Sequence, residues 1–314
     1  MRVGVTGASG FIGSHVVDAL ADAGHDVTVI DLREPHRKDV GFREASILDS
    51  AALNDAAAGL DVLYHLAAFA DVNDVVADPV GAMDLNITGT LRALEAARLN
   101  GVKRFILAST VWVYSSVPPS GSDTVDENEN IDIDAVRHIY TTSKIAAEML
   151  CHDYANAHQL PFTILRYGIP YGPRMRFSLV VPIFVRKALR GEPLTVAGDG
   201  SQHRKFVYVE DLARAHVLAL RDEAANQTYN LDGAEKVTIL RIAETVLRLT
   251  GSDRPIEFMP ARAGDYGGKD VSSEKARLEL GWTPEIDFEE GMKRTVPWLI
   301  ERLRAEEEAT AAAR

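Results

Sequence analysis

Apolar and polar positions along the first half of the chain follow two alternating rhythms. Short runs that are apolar nearly throughout fall at residues 2–6, 26–31, 42–47, 60–66, 103–110 and 162–166. This is the pattern of strands covered on both faces. Between them, the stretches 12–23, 50–58, 80–100 and 140–158 repeat their apolar residues at helical spacing, as helices with one buried face do. Such alternation predicts α/β architecture, a doubly wound parallel sheet with crossover helices. After Tyr171-Gly172-Pro173 the alternation stops, and Gly191, Pro193, Gly198 and Gly200 crowd the chain. One helix, 212–220, preceded by Val209-Glu210-Asp211 with Asp211 as its candidate N-cap, returns to the earlier pattern. The expected organisation is a first domain over 1–173, with 206–222 returning to it, and a smaller C-terminal α/β lobe over 174–314.

Several segments carry further expectations. The helices 80–100 and 140–158 have enough apolar surface to bury one stripe on the sheet and another on a second copy, which predicts a homodimer. The segment 115–134 is acidic, lacks basic residues and contains Pro118-Pro119. It is expected to be a solvated loop, with a lid over the pocket as the alternative. The tail 302–314 is expected to be a fraying helix end.

Composition narrows the partners. The chain has 314 residues, 46% hydrophobic and 25% charged, which suits a globular protein of one large domain or two unequal lobes. Its 34 basic and 46 acidic residues leave a net charge of −12, which works against binding nucleic acid or an anionic membrane. A small anion can still bind in a locally basic pocket. A single cysteine, Cys151, makes no intramolecular disulfide and no cysteine metal cluster, so it is expected as a buried hydrophobe, with no metal site. Met1 leads directly into a strand pattern rather than a cationic, apolar leader. No apolar run approaches the ~18 residues of a membrane span. The expected location is the cytoplasm.

Two motifs carry chemistry. Thr6-Gly7-Ala8-Ser9-Gly10-Phe11-Ile12-Gly13 joins the first strand to the first helix. Gly7 permits the tight turn, Gly10 a close approach of backbone to a pyrophosphate, and Gly13 close packing of helix on sheet. The helix start adds N–H donors for phosphates. Asp31 ends the second strand about twenty residues on, where a carboxylate accepts from both hydroxyls of an adenine ribose and repels a 2′-phosphate. That favours NAD over NADP, although Arg33 nearby works against the distinction. Asp49 either accepts from the adenine amine or caps the helix that starts at Ser50. The second motif, Tyr140-Thr141-Thr142-Ser143-Lys144, puts a phenol and an ammonium on one helix face. A free phenol has a pKa of about 10, and neighbouring cations favour its phenolate, so Tyr140 is a candidate general base. Thr110 ends a strand at the sheet's carboxyl edge, where ligands of such sheets sit.

Together these residues resemble the extended short-chain dehydrogenases/reductases, specifically the NAD-dependent sugar-nucleotide epimerase/dehydratase group. The likeness runs through 6–13, His65-Leu66-Ala67-Ala68, Asn86 with Gly89-Thr90, 109–114, 140–144, 166–173, 206–213 and Leu280-Gly281-Trp282-Thr283-Pro284. It implies a Rossmann-type domain and a catalytic set of Thr110, Tyr140 and Lys144. The NAD site it implies takes in Gly7, Gly10, Phe11, Ile12 and Gly13 of the turn and Asp31, Arg33 and Asp49 on the adenosine side. Leu66, Ala67, Ala68, Asn86, Tyr140, Lys144 and Tyr167 complete that site. A nucleotide sugar would meet Thr110 and Tyr140, with Arg204 and Arg262 clamping its diphosphate and Asp265 receiving a ribose hydroxyl. Arg174 and Arg176 are either ligands of a diphosphate or carboxylate, or exposed loop charges.

The family's dehydratases and decarboxylases carry acids just after the catalytic Thr or Ser. Val111-Trp112 stand there in this chain, which favours simple oxidation and re-reduction at C4. The expectation is a UDP-hexose 4-epimerase, with UDP-glucose/UDP-galactose ahead of UDP-glucuronate/UDP-galacturonate. The alternatives are an NDP-4-keto-sugar reductase and, least favoured, a non-catalytic dinucleotide sensor. Ile169 replaces a family Asn that helps to hold the substrate, and Lys205 stands where Asp is common.

Overall fold

The computed structural model describes residues 1–117, 124–260 and 270–312. The first half of the chain lays down β1 (Arg2–Thr6), α1 (Phe11–Asp22), β2 (Asp26–Asp31), β3 (Gly41–Glu44), α2 (Ser50–Ala57) and β4 (Val62–His65). There follow α3 (Val72–Ala77), α4 (Pro79–Met83), α5 (Gly89–Leu99), β5 (Arg104–Thr110), β6 (Thr124–Val125), α6 (Ile139–His158) and β7 (Phe162–Tyr167). Beyond Gly168 come β8 (Ile169–Tyr171), α7 (Val180–Leu189), β9 (Leu194–Ala197), β10 (His203–Tyr208), α8 (Val209–Leu218) and β11 (Gln227–Leu231). The chain ends with β12 (Lys236–Thr238), α9 (Ile239–Thr250), β13 (Ile256–Met259), β14 (Asp270–Val271) and α10 (Phe288–Ala312).

Seven strands form one sheet in the order β11-β7-β5-β4-β1-β2-β3, and every pairing in it is parallel. The reversal of direction between β1 and β4 makes it the doubly wound Rossmann-type sheet expected from the alternation. Its central strands are apolar because helices cover both faces. Leu53, Leu63, Leu94, Phe105, Cys151 and Ile164 are buried together in one cluster, and each large side chain there contributes about 1.5–3 kcal/mol. β3, at the edge, is exposed along its length and stops short of the expected 42–47. Ala45 and Ile47 turn inward instead.

Two expectations are corrected. The stretch 80–100 is not one α-helix: α4 and α5 are joined by a π-helical turn over Asp84–Thr88. The Thr90 hydroxyl donates to the Asn86 carbonyl at 2.6 Å, and the wider turn turns the Asn86 side chain into the interior, where it is buried. The described part of 115–134 is not all solvated loop either. β6 pairs with β14, and Val117, Val125 and Val271 share a small core with Tyr114.

By its contacts the chain divides into two compact units. One comprises Met1–Gly168, Leu212–Asp232 and Lys269–Thr283; the other comprises Ile169–Asp211, Gly233–Gly268 and Pro284–Arg314. The second unit holds a three-stranded sheet, β12-β10-β8, and the pair β13-β9. Gly233 lets a loop lie flat on β10, since a Cβ there would meet the Phe206 carbonyl oxygen at 2.1 Å. Among the described residues no helix is long and apolar enough to cross a membrane, and no His/Cys/Asp/Glu cluster is arranged to hold a metal ion.

Candidate active site

The turn between β1 and α1 is shaped by its glycines. Gly7 adopts φ +67°, and a Cβ on it would stand 2.6 Å from the Ala67 backbone, so the loop after β4 closes against this turn. The spacing of Gly13 predicts that it relieves packing of helix on sheet. The contact it relieves is with the turn itself, because a Cβ there would lie 2.2 Å from the Gly7 oxygen and 2.8 Å from Ala8 Cα. Gly10 is the N-cap of α1 and has no side chain to cap it. Phe11 and Ile12, half-buried, begin the helix and present first-turn N–H groups without intrahelical partners.

Asp31, at the end of β2, accepts from Ser9 N at 3.0 Å with one oxygen and from Arg33 N at 3.1 Å with the other. An ionised carboxylate has about four acceptor positions, so two remain for a ligand. The Arg33 guanidinium is mostly exposed, 3.9 Å from Asp31. Of the two readings of Asp49, the structure shows the cap: its carboxylate accepts from Ala51 N and Ala52 N.

At the loop after β4, Leu66 N donates to the Thr6 carbonyl at 3.2 Å and Ala67 N to Thr6 Oγ1 at 3.3 Å. Leu66, Ala67 and Ala68 are all half-buried. Behind them lies His65, absent from the sequence-derived set. Burial first, and the Lys144 charge second, push its pKa down to about 3, so it is neutral. Its tautomer follows from its neighbours. Thr90 spends its one hydroxyl hydrogen on Asn86 O, so it accepts from His65 Nε2 at 3.1 Å, and His65 Nδ1 accepts from Thr6 Oγ1 at 2.9 Å. Asn86, expected at the cofactor, spends both amide hydrogens on protein, on Phe69 O and on Ser143 Oγ, and its oxygen accepts from Phe69 N. It ties the loop to α6 at Ser143, just past the helix's first turn.

α6 carries the phenol and the ammonium. Its N-cap is His138, whose Nδ1 accepts from Tyr140 N at 3.2 Å. Lys144 is buried and its Nζ donates to the Ala108 carbonyl at 3.1 Å. Burial pulls its pKa down to about 8 against the opposing charge of Glu148. Two residues beyond Ala108, Thr110 ends β5. Its Oγ1 accepts from Trp112 N, which leaves the hydroxyl hydrogen to donate. The Trp112 ring lies edge-on to Tyr140 at 6.3 Å and to His138 at 5.9 Å. Thr110, Tyr140 and Lys144 are thus gathered at the carboxyl end of β5. Tyr167 has its hydroxyl 2.6 Å from His216 Nε2. His216 Nδ1 pairs with the Leu212 carbonyl, so Tyr167 donates to Nε2 and its hydroxyl is occupied by protein.

Glu148, Arg166 and Ser109 form a further buried group that the sequence-derived set lacks. Arg166 grips the Glu148 carboxylate with two bonds, and Ser109 donates to the same carboxylate. Glu148 stands four residues after Lys144, and that spacing was its one visible signal. In the second unit, Arg174 adopts φ +65° in the loop after Pro173, Arg176 is exposed, and Arg204 lies on β10 with Nη1 donating to the His203 carbonyl. Arg262 and Asp265 lie outside the described residues.

Comparison with known proteins gives the class. Residues 3–232 match the NAD dependent epimerase/dehydratase family, and the chain belongs to it. A UDP-N-acetyl-alpha-D-glucosaminuronate decarboxylase of Bacillus cytotoxicus is 32% identical over 95% of this chain and 97% of its own. A UDP-glucose 4-epimerase of Thermotoga maritima, solved with UDP-glucose, has a TM-score of 0.88 at 33% identity, covering 96% of this chain and 100% of that one. A UDP-glucose 4-epimerase of Thermus thermophilus, solved with NAD, gives 0.86 at 33% identity over 96% and 99%. The protein is an enzyme of this family, and its cofactor is NAD. The residues present suit that cofactor: a glycine turn into which a Cβ cannot fit, an uncapped helix start and a half-satisfied carboxylate at the end of β2.

Proposed function

We propose that the chain is an NAD-dependent 4-epimerase of a UDP-sugar, with UDP-glucose/UDP-galactose as the favoured pair. What NAD supplies when bound is a reversible hydride store at C4. Tyr140 takes the proton of the sugar 4-hydroxyl and later returns it. Between these steps the 4-keto sugar turns over. Thr110 donates to the sugar oxygen. Lys144, one turn after Tyr140, favours the phenolate by its charge. Gly7, Gly10 and Gly13 with the start of α1 are proposed to receive the pyrophosphate, Asp31 the adenine ribose, and Arg204 the diphosphate of the substrate.

The observation that carries the reading is the neighbour of the base. Residues 111–117 contain no carboxylate, and the Trp112 indole from that stretch stands edge-on to Tyr140. This supports oxidation and re-reduction without a further acid or base. A second reading, decarboxylation of a UDP-hexuronate, is favoured by the Bacillus cytotoxicus relative. One experiment separates them: incubation with UDP-glucose, UDP-galactose, UDP-glucuronate and UDP-galacturonate, followed by chromatography of the products. A C4 epimer with no net NADH produced supports the proposal. A UDP-pentose with loss of carbon dioxide supports the second reading, and steady consumption of added NADH a reductase. Tyr140→Phe is expected to lower turnover by about 10²–10⁴-fold while NAD stays bound.

We also propose a homodimer through the faces of α5 and α6, where Leu91, Leu99, Ile139 and Met149 are exposed. Exposed apolar residues on these two helices suit burial against a second copy of the same surface.

A further inference from the structure

Lys144 and Glu148 stand one turn apart on α6, both buried. The Lys144 ammonium donates to the Ala108 carbonyl at 3.1 Å, and the next residue, Ser109, donates its hydroxyl to Glu148 Oε1 at 2.5 Å. The end of β5 is therefore fastened to α6 at two consecutive residues just before Thr110. Arg166 on β7 closes on the same carboxylate, Nε to Oε1 at 3.0 Å and Nη2 to Oε2 at 2.6 Å. Its Nη1 donates to the Tyr114 hydroxyl at 2.7 Å. A buried ion pair adds little stability over apolar side chains of similar size, so its presence beside the reacting groups calls for another explanation.

We propose that Glu148 is a positioning residue: held by Ser109 and Arg166, it fixes the carboxyl end of β5 against α6, one turn from the buried Lys144 whose ammonium is bound to the same strand end. This rests on the roles given above to Tyr140 and Lys144. The groups around the pair are known. β7 contributes Arg166, and the 3₁₀ turn after β5 contributes Tyr114. β4 contributes His65, which is neutral, and the π-helical turn contributes the neutral Asn86 amide. α6 itself adds Tyr140 and Cys151, whose thiol burial and Glu148 keep protonated. α5 contributes Glu95, bonded to Tyr154 far along α6. Glu148 is the carboxylate whose charge acts on Lys144.

The test needs variants that keep the fold. Glu148→Gln keeps an acceptor for Ser109 and Arg166 without the charge. The double variant Glu148→Met/Arg166→Met replaces the pair by apolar side chains of similar length. The protein is labelled with 13Cε-lysine, the Lys144 resonance is assigned by its loss in Lys144→Met, and its titration is followed by NMR. The alkaline limb of kcat/KM is measured in parallel. In Glu148→Gln, which leaves the Arg166 charge unanswered, the Lys144 midpoint is expected to fall by about one pH unit, with the alkaline limb moving down with it, about tenfold in rate above the midpoint. In the double variant, which removes both charges, the midpoint is expected to move less while kcat falls with the loss of the tie to β5. Ser109→Ala, which keeps the charge, is expected to leave the midpoint in place while lowering kcat. An unmoved Lys144 midpoint in folded Glu148→Gln, or an unchanged kcat in the folded double variant, overturns the inference. The NMR reading is independent of turnover, so an active Tyr140→Phe enzyme would remove the catalytic reading of Tyr140 without touching this result.

Discussion

Gly13 shows how little room a single residue has. A methyl group there would meet three backbone atoms of the turn, the Gly7 carbonyl carbon and oxygen and Ala8 Cα, none of them part of a flexible side chain that could yield. Gly13→Ala is expected to cost about 1–3 kcal/mol in stability and to weaken NAD binding at least tenfold, as read by urea unfolding and titration calorimetry. Two buried histidines make a different prediction. Burial holds His65 at about 3 and His216 at about 4, below the ordinary value near 6.5. Between those values the unfolded chain binds protons that the native one refuses, so stability falls as pH drops below the ordinary histidine range. Each histidine is expected to remove about 2 kcal/mol at about pH 5 relative to about pH 8. Urea melts of the wild type and of His216→Gln across that range check it: the variant is expected to show the weaker acid dependence. Residue placement was legible in sequence where it depends on local spacing, as with Gly7 in the turn, Asp31 at the end of β2, and Tyr140 and Lys144 one turn apart on α6. It was hidden where partners are distant along the chain. Nothing near His65 announces Thr6 and Thr90, and nothing near Asn86 announces Ser143.

At the scale of elements, α6 is held at its start by parts from elsewhere. Asn86 reaches it from the π-helical turn and Lys144 binds it to β5. Asn86→Ala leaves Phe69 N, Phe69 O and Ser143 Oγ without their partner. It is expected to lower stability by about 2 kcal/mol, on the scale of buried hydrogen bonds lost, and to weaken NAD binding more than it changes KM for the sugar. Calorimetry and steady-state kinetics separate the two effects. The strands and crossover helices of the sheet could be read from sequence because each buries both faces or one clean stripe. The π-helical turn could not, since a single inserted residue barely alters the apolar period. β8, β12 and β14 are two or three residues long, too short to establish a rhythm, and their pairing depends on residues far away in the chain.

At the scale of the whole molecule, the proposed dimer predicts a scattering mass of two chains at micromolar concentration. Met149→Glu, at an exposed position of α6, is expected to shift that mass toward one chain with the melting temperature little changed. A wild-type mass of one chain would remove the proposed interface. The net charge of −12 belongs mainly to the exterior; beside the reacting groups the buried Lys144 and Arg166 face one buried carboxylate, Glu148. The large sheet is assembled from segments that are far apart in the chain: its edge strand β11 lies at residues 227–231 and pairs with β7. During synthesis, β7 therefore leaves the ribosome with one row of N–H and C=O groups open for some sixty residues of further translation, on the apolar sequence Phe162-Thr163-Ile164-Leu165. An open apolar edge is a template for pairing with other chains. A chain released at Gly168 is expected to aggregate, whereas one that continues through Leu231 can close its own edge. For the nascent protein, the segment that completes the sheet also acts as its internal guard against association.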